Sequence, residues 1–213
     1  MDKRKRLSVY LDALQPDMPD YLSKIEKRAV DCDVPIIRRE SRYFMKTLLW
    51  IIRPGRILEI GTAVAFSALF FMNYAPGPCH IDTIESYEPR IREAKANIEN
   101  SPFSKDITLY EGDAMKILPG LSGTYDLIFL DAAKGQYVKM LPLIKKLMHS
   151  GSVLVTDNIL QEGDLIESTF AVKRRNRTIH KRIRKYLEEV SFDESFVTTT
   201  IDEGDGMCIS VMK

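Results

Sequence analysis

The chain has 213 residues, 45% of them hydrophobic and 29% charged, which suits one globular domain with a sizeable core and excludes disordered and collagen-like classes. Cys32, Cys79 and Cys208 are an odd number, lie far apart and form no CxxC; neither a disulfide framework nor a structural zinc site is suggested, and a reducing, cytoplasmic compartment is the expectation. The net charge of +1 hides a segregation: residues 173–185 carry eight lysines and arginines and no acid, leaving −7 on the rest, and such a block points to a polyanionic partner.

Residues 1–54 read as an amphipathic N-terminal helical cap, broken at Pro16-Asp17-Met18-Pro19 and again near Pro35. The basic start is followed by Asp12, Asp17 and Asp20 rather than an apolar run, so neither export nor a membrane span is expected. Over residues 55–213 the pattern becomes β/α alternation. Short apolar runs at 57–60, 80–85, 107–111, 125–130 and 152–156 are separated by helix-length stretches at 64–73, 88–99 and 136–148, which predicts βαβ units and a parallel sheet. A helix is predicted over 178–190. The chain closes with strands at 195–201 and 207–212 joined by Asp202-Glu203-Gly204-Asp205-Gly206, an antiparallel hairpin signal. There is no repeat or linker, so 1–213 reads as a single domain.

Two of the predicted strands stop at hard oxygen ligands, Phe129-Leu130-Asp131-Ala132-Ala133-Lys134 and Val153-Leu154-Val155-Thr156-Asp157-Asn158. A doubly wound sheet brings Asp131, Asp157 and Asn158 together at its carboxyl edge, where two carboxylates and an amide oxygen suit Mg²⁺ and leave positions open for water or substrate. Either acid alone is better read as a loop cap; the set with Lys134 favours a site.

The first strand runs into Gly61-Thr62-Ala63-Val64-Ala65-Phe66-Ser67, a tight turn and helix start without the glycines of GxGxxG. A phosphate-bearing cofactor is therefore disfavoured, and a nucleoside cofactor fits better. Glu85 at the end of the second strand can take two ribose hydroxyls, and Asp113-Ala114 after the third can meet an adenine. Each acid singly is more often a cap; in register on successive strands beside the Gly61 turn they shift the balance toward S-adenosylmethionine.

Together, LEIGTAVAFSALF, Glu85, the GDA at 112–114, FLDAAK at 129–134 and TDN at 156–158 resemble the cation-dependent class I O-methyltransferases of the catechol and caffeoyl-CoA type. The resemblance runs from about Pro35 to the C-terminus, although Ala63 and Ala65 replace the usual glycines. It implies a Rossmann-like, seven-stranded, mostly parallel sheet with an antiparallel C-terminal hairpin, Mg²⁺ on Asp131, Asp157 and Asn158, and a homodimer. Cofactor contacts are implied at Glu59, Gly61, Ser67, Glu85, Asp113, Ala114 and Asp131, with one from Pro35-Ile36-Ile37, centred on Ile37. Within the family, Asp157-Asn158-Ile159-Leu160-Gln161-Glu162-Gly163 and Arg174-Arg175-Asn176-Arg177-Thr178-Ile179-His180 are most similar to the bacterial tRNA 5-hydroxyuridine methyltransferases, which form 5-methoxyuridine at the anticodon wobble position.

Methyl transfer from a sulfonium needs an oxygen nucleophile held in line and relieved of its proton. A substrate with two adjacent oxygens can chelate Mg²⁺, and both catechol and 5-hydroxyuracil present such a pair. Lys134 is the candidate general base, with Asp131 serving metal and cofactor. For substrate size the basic block decides. On the predicted helix Ile179, Ile183, Tyr186, Leu187 and Val190 share an inward face while Lys181, Arg182, Arg184 and Lys185 project outward. Arg174, Arg175, Arg177 and Lys181 are the expected RNA contacts, with Tyr137, Phe170 and His180 as stacking partners for a splayed base in the anticodon stem-loop. A small catechol or caffeoyl-CoA-like substrate is the runner-up; a non-catalytic RNA-binding protein on the same scaffold is a third reading, against which the intact metal set argues.

Overall fold

A computed structural model describes residues 3–202 and 204–213. The first two residues of the expected cap and Glu203 of the expected hairpin turn lie outside the described residues.

The cap consists of α1 (Lys3–Ala13), α2 (Asp20–Asp31) and α3 (Arg39–Ile52), and the prolines at 16, 19 and 35 fall between them. Leu22, Ala29, Met45 and Leu49 from α2 and α3 are fully buried. Alternation then begins with β1 (Arg56–Ile60), α4 (Phe66–Tyr74), β2 (His80–Glu85), α5 (Glu88–Glu99), β3 (Ile107–Glu111), α6 (Ala114–Ile117) and β4 (Tyr125–Leu130). It continues through α7 (Tyr137–Lys146), β5 (Met148–Thr156) and α8 (Arg177–Phe192) to the hairpin of β6 (Phe196–Ile201) and β7 (Met207–Met212). The seven strands form one sheet in the order β3-β2-β1-β4-β5-β7-β6, parallel except for β7, which is antiparallel to both neighbours.

Because side chains alternate along a strand, each strand feeds two cores. Ile57, Ile81, Leu127, Phe129 and Val155 pack under α2–α5, whereas Leu58, Ile84, Ile128, Leu130 and Leu154 pack under α7 and α8. Burial on both faces explains why these strands read as continuous apolar runs rather than as alternating ones. Phe129 meets Phe71 edge to face at 5.1 Å; deleting such a buried ring costs about 3–5 kcal/mol.

Strand order reverses between β1 and β4, so the connections leave in opposite directions and open a crevice at the carboxyl ends of these two strands. The backbone ladder carries past the strand ends. Asp131 N–H donates to Ile60 O at 3.0 Å and Asp157 N–H donates to Leu130 O at 3.1 Å, which keeps the two acids on adjacent strands in register.

Two expectations shift. Strand β5 begins at Met148, four residues before the apolar run that announced it, because Tyr125 and Met148 pair across a register break ahead of the regular ladder. On α8, Ile183, Tyr186 and Val190 are buried as expected, but Ile179 is 37% exposed and His180 takes the inward position of the first turn. Among the described residues no helix is long and apolar enough to cross a membrane.

Candidate active site

The crevice is a cleft of about 720 Å³ running across the carboxyl ends of β1–β4. Glu85, Asp113 and Ala114 line it at the β2 and β3 ends, Gly61 and Ser67 at the β1 end, and Asp131, Lys134 and Asn158 toward β4 and β5. Ile37, from the segment before α3, closes it with Pro35 and Ile36.

Gly61 sits at φ +107, and a β-carbon there would collide with the backbone carbonyl of Asp131. Only glycine lets the β1 turn pass the β4 turn so closely. The chain then holds Ala63 at φ +46 and Ala65 at φ +64, left-handed conformations on alanine, at the two positions where the family pattern usually has glycine. The turn keeps the shape that glycine would give it, against the steric cost of two methyl groups.

Glu59 does not reach the cleft. It is fully buried, accepting from the hydroxyls of Ser67 and of Thr83 (2.5 Å), so its expected cofactor contact becomes support for Ser67. Burial pushes its carboxyl up to about 8, against the pull of both hydroxyls. Glu85 does line the cleft, but its Oε1 already accepts from Ser86 and Tyr87 N–H, and its Oε2 from Ala63 N–H, all at 2.8 Å. The carboxylate is thus oriented by three backbone donors, with acceptor capacity left on Oε2. Asp113 caps α6 through Oδ1 to Met115 N–H at 2.8 Å, leaving Oδ2 for a ligand. Both acids bond local backbone N–H groups and both line the cleft.

At the metal end, Asn158 sits at φ +58, a conformation asparagine tolerates, and its Nδ2 donates to Asp131 Oδ1 at 3.2 Å. Asp157 Oδ1 accepts from Asn158 N–H at 2.8 Å and from Ser41 Oγ at 3.5 Å, whereas its Oδ2 is buried without a partner. Burial raises Asp157 to about 7, and the nearby Asp131 adds to the rise. Burial raises Asp131 as well, with Asn158 and Lys134 pulling the other way. Two crowded carboxyls and an orphaned oxygen fit a divalent cation, which would satisfy Oδ2 and offset the mutual repulsion. Asn158 would turn its amide to present oxygen. Among the described residues no cluster of three His, Cys, Asp or Glu side chains could hold a metal, so a cation bound here would need the Asn158 amide as its third protein donor.

Several side chains with no local sequence signal serve the site. Ser41 reaches Asp157 from 116 positions away. Tyr137, expected as a stacking partner, is fully buried: its hydroxyl accepts from Ala132 N–H at 3.2 Å and donates to Ala132 O at 3.0 Å. His180 is fully buried too, so neither ring is presented to a base as described; Phe170 is 85% exposed.

The basic block lies beside this edge. Arg182 Nη1 donates to Gly135 O at 3.1 Å, next to Lys134. Arg174, Arg175 and Lys181 are exposed. Arg177 differs, because its Nε donates to Val172 O at 3.1 Å and its Nη2 to Phe170 O at 2.9 Å, so it braces the preceding loop.

Over residues 14–213 the chain matches the family model described as O-methyltransferase, and it belongs to the O-methyltransferase family. It is 31% identical over 176 residues to the catechol O-methyltransferase of Mycobacterium tuberculosis, covering 80% of this chain and 77% of that protein. With the catechol O-methyltransferase of Niastella koreensis it shares 25% over 178 residues, covering 80% and 79%. A Staphylococcus aureus structure provisionally assigned as a caffeoyl-CoA O-methyltransferase superposes with a TM-score of 0.90 at 28% identity, covering the whole of both chains. The O-methyltransferase of Bacillus cereus, solved in complex with SAH, shares the fold with a TM-score of 0.86 at 21% identity, covering 98% of this chain and 97% of that one.

Proposed function

We propose that this protein transfers a methyl group from S-adenosylmethionine to the 5-hydroxyl of 5-hydroxyuridine at the wobble position of a tRNA anticodon, with Mg²⁺ held by Asp131, Asp157 and Asn158. The observation that carries the RNA reading is the docking of the acid-free block onto the catalytic turn through Arg182 and Gly135. Phosphates bound along Arg174, Arg175 and Lys181 would then run beside the cleft.

The cofactor reading is supported by the cleft lined by Ser67, Glu85, Asp113 and Ala114, and by the SAH-bound structure among the fold's relatives. When bound, S-adenosylmethionine would supply an electrophilic methyl, and Mg²⁺ would supply Lewis acidity that eases loss of the substrate hydroxyl proton. Lys134, lining the cleft two residues beyond Ala132, is the group that takes the hydroxyl proton. Ile37 with Pro35 and Ile36 excludes water from the cofactor side. The second copy expected of a homodimer would cover the N-terminal helical segment, where Trp50 of α3 and Tyr10 and Leu11 of α1 stand exposed.

The named relatives favour a second reading, methylation of a small catechol or caffeoyl-CoA-like substrate by the same metal and lysine. Mass spectrometry of tRNA nucleosides from cells lacking the protein separates the two. Loss of 5-methoxyuridine with accumulation of 5-hydroxyuridine is the expected result; unchanged 5-methoxyuridine would favour the small substrate.

A further inference from the structure

Between the metal ligand Asn158 and α8 runs a loop whose two ends are fixed and whose middle carries bare apolar surface. At its start, Ile159 N–H donates to Gly206 O at 3.1 Å and Leu160 N–H to Asp205 O at 2.8 Å. At its end, Arg177 holds the carbonyls of Val172 and Phe170, and Arg184 Nη1 reaches Glu167 O at 3.4 Å. Between these anchors Ile166 is 86% exposed and Phe170 85% exposed, more than any other large apolar side chain among the described residues.

Phe170 is not simply unpacked. The Arg177 guanidinium lies 5.9 Å from its ring centroid while bonded to its carbonyl, so a cation braces one side of the ring and leaves the rest to solvent. The acids of the loop, Glu162, Asp164 and Glu167, precede Phe170 in the sequence, and from Ser168 to Leu187 no acid follows. An aromatic ring in cationic surroundings is complementary to a nucleobase attached to a phosphate backbone, and mismatched to a basic or purely apolar protein surface.

We propose that Phe170 is a stacking platform for an unpaired anticodon-loop base next to the one that enters the cleft, and that Arg177 is its positioning residue. The proposal rests on the tRNA reading above. Holding a neighbour of the target base lets the loop splay the target out of its own stack, and ties recognition to single-stranded RNA rather than to the nucleoside alone.

The test is fluorescence anisotropy of an anticodon stem-loop carrying 5-hydroxyuridine, titrated with the full-length protein. F170A should weaken binding roughly tenfold, the size of one base–aromatic stack, and F170W should restore it. R177A should weaken it in the same direction through the loosened ring. An abasic residue in place of the neighbouring base should abolish the difference between wild type and F170A. S-adenosylmethionine affinity checks that each variant is folded. Wild-type affinity in F170A overturns the platform and leaves the tRNA reading standing, whereas a wild-type protein that ignores the stem-loop overturns the tRNA reading itself. A change of oligomeric state in F170A during sedimentation would make this face a contact between copies and also overturn the platform.

Discussion

Tyr137 and Tyr186 meet with ring centroids 5.4 Å apart and planes at 66°, and each hydroxyl bonds the residue adjoining one carboxylate of the site. Tyr137 clamps Ala132, next to Asp131; Tyr186 lies 2.5 Å from Thr156 Oγ1, next to Asp157. Both rings are fully buried, so the pair ties the ends of β4 and β5 together from beneath. Y137F keeps the ring and removes both bonds to Ala132. It should cost about 1–2 kcal/mol in urea unfolding, at roughly 1 kcal/mol per bond, and weaken Mg²⁺ binding measured by calorimetry. Unaltered Mg²⁺ affinity would reduce the tyrosine to core filling.

The crowded carboxyls predict how the metal site responds to pH. Asp157, raised to about 7, holds a proton below that value which a cation must displace. Mg²⁺ affinity should therefore fall by about tenfold per unit as pH drops below 7 and level off above it, with proton release visible in calorimetry across buffers. Stability of the metal-free protein should follow the opposite sign. Glu59 and Asp157 are both raised above their ordinary values of 4.5 and 3.8, so their contribution is fully present below those values and is lost as pH rises through about 8 for Glu59 and about 7 for Asp157. Thermal unfolding of the metal-free protein between pH 5.5 and 8.5 checks this, and saturating Mg²⁺ should cancel the Asp157 part.

The left-handed alanines make a third prediction. A63G should stabilise the protein by about 1 kcal/mol, because φ +46 is unfavourable for alanine and free for glycine. Ala63 is the cleaner choice, since the Ala65 methyl is buried in the core. Urea unfolding of A63G is the measurement; destabilisation would mean that the turn relaxes around alanine without strain.

Much of this was legible in the chain. The parallel strands could be read because burial on both faces makes them continuous apolar runs, and each acid of the site stands where such a run stops. The hairpin announced itself by its glycines. What the sequence did not carry is contact made across long separations: Ser41 on Asp157, Tyr137 on Ala132, and the retreat of Glu59 beneath Ser67. Local pattern also misjudged His180, expected as a stacking partner for a splayed base, which fills the inward position that Ile179 was expected to take. Helical phase near an end depends on how the preceding loop enters, and no residue between Ile159 and Arg177 announces that.

The basic block now divides into parts. Arg177 is engaged with backbone carbonyls, so the exposed Arg174, Arg175 and Lys181 are the ones whose loss should remove phosphate contacts. Their triple alanine variant should flatten the salt dependence of stem-loop binding by about two log units per log unit of salt, at about 0.7 per contact on a single strand. S-adenosylmethionine binding should not change. An unaltered slope, measured by anisotropy from low to physiological salt, would place the RNA elsewhere.

The most direct measurement is methyl transfer by the purified protein from labelled S-adenosylmethionine to an anticodon stem-loop bearing 5-hydroxyuridine, with Mg²⁺ or EDTA, and with D157A beside wild type. The account predicts 5-methoxyuridine with wild type and Mg²⁺ alone, while D157A still binds the cofactor, because Asp157 does not line the cleft that would hold it. Full turnover in EDTA or with D157A, or methylation of catechol but never of the stem-loop, would contradict it.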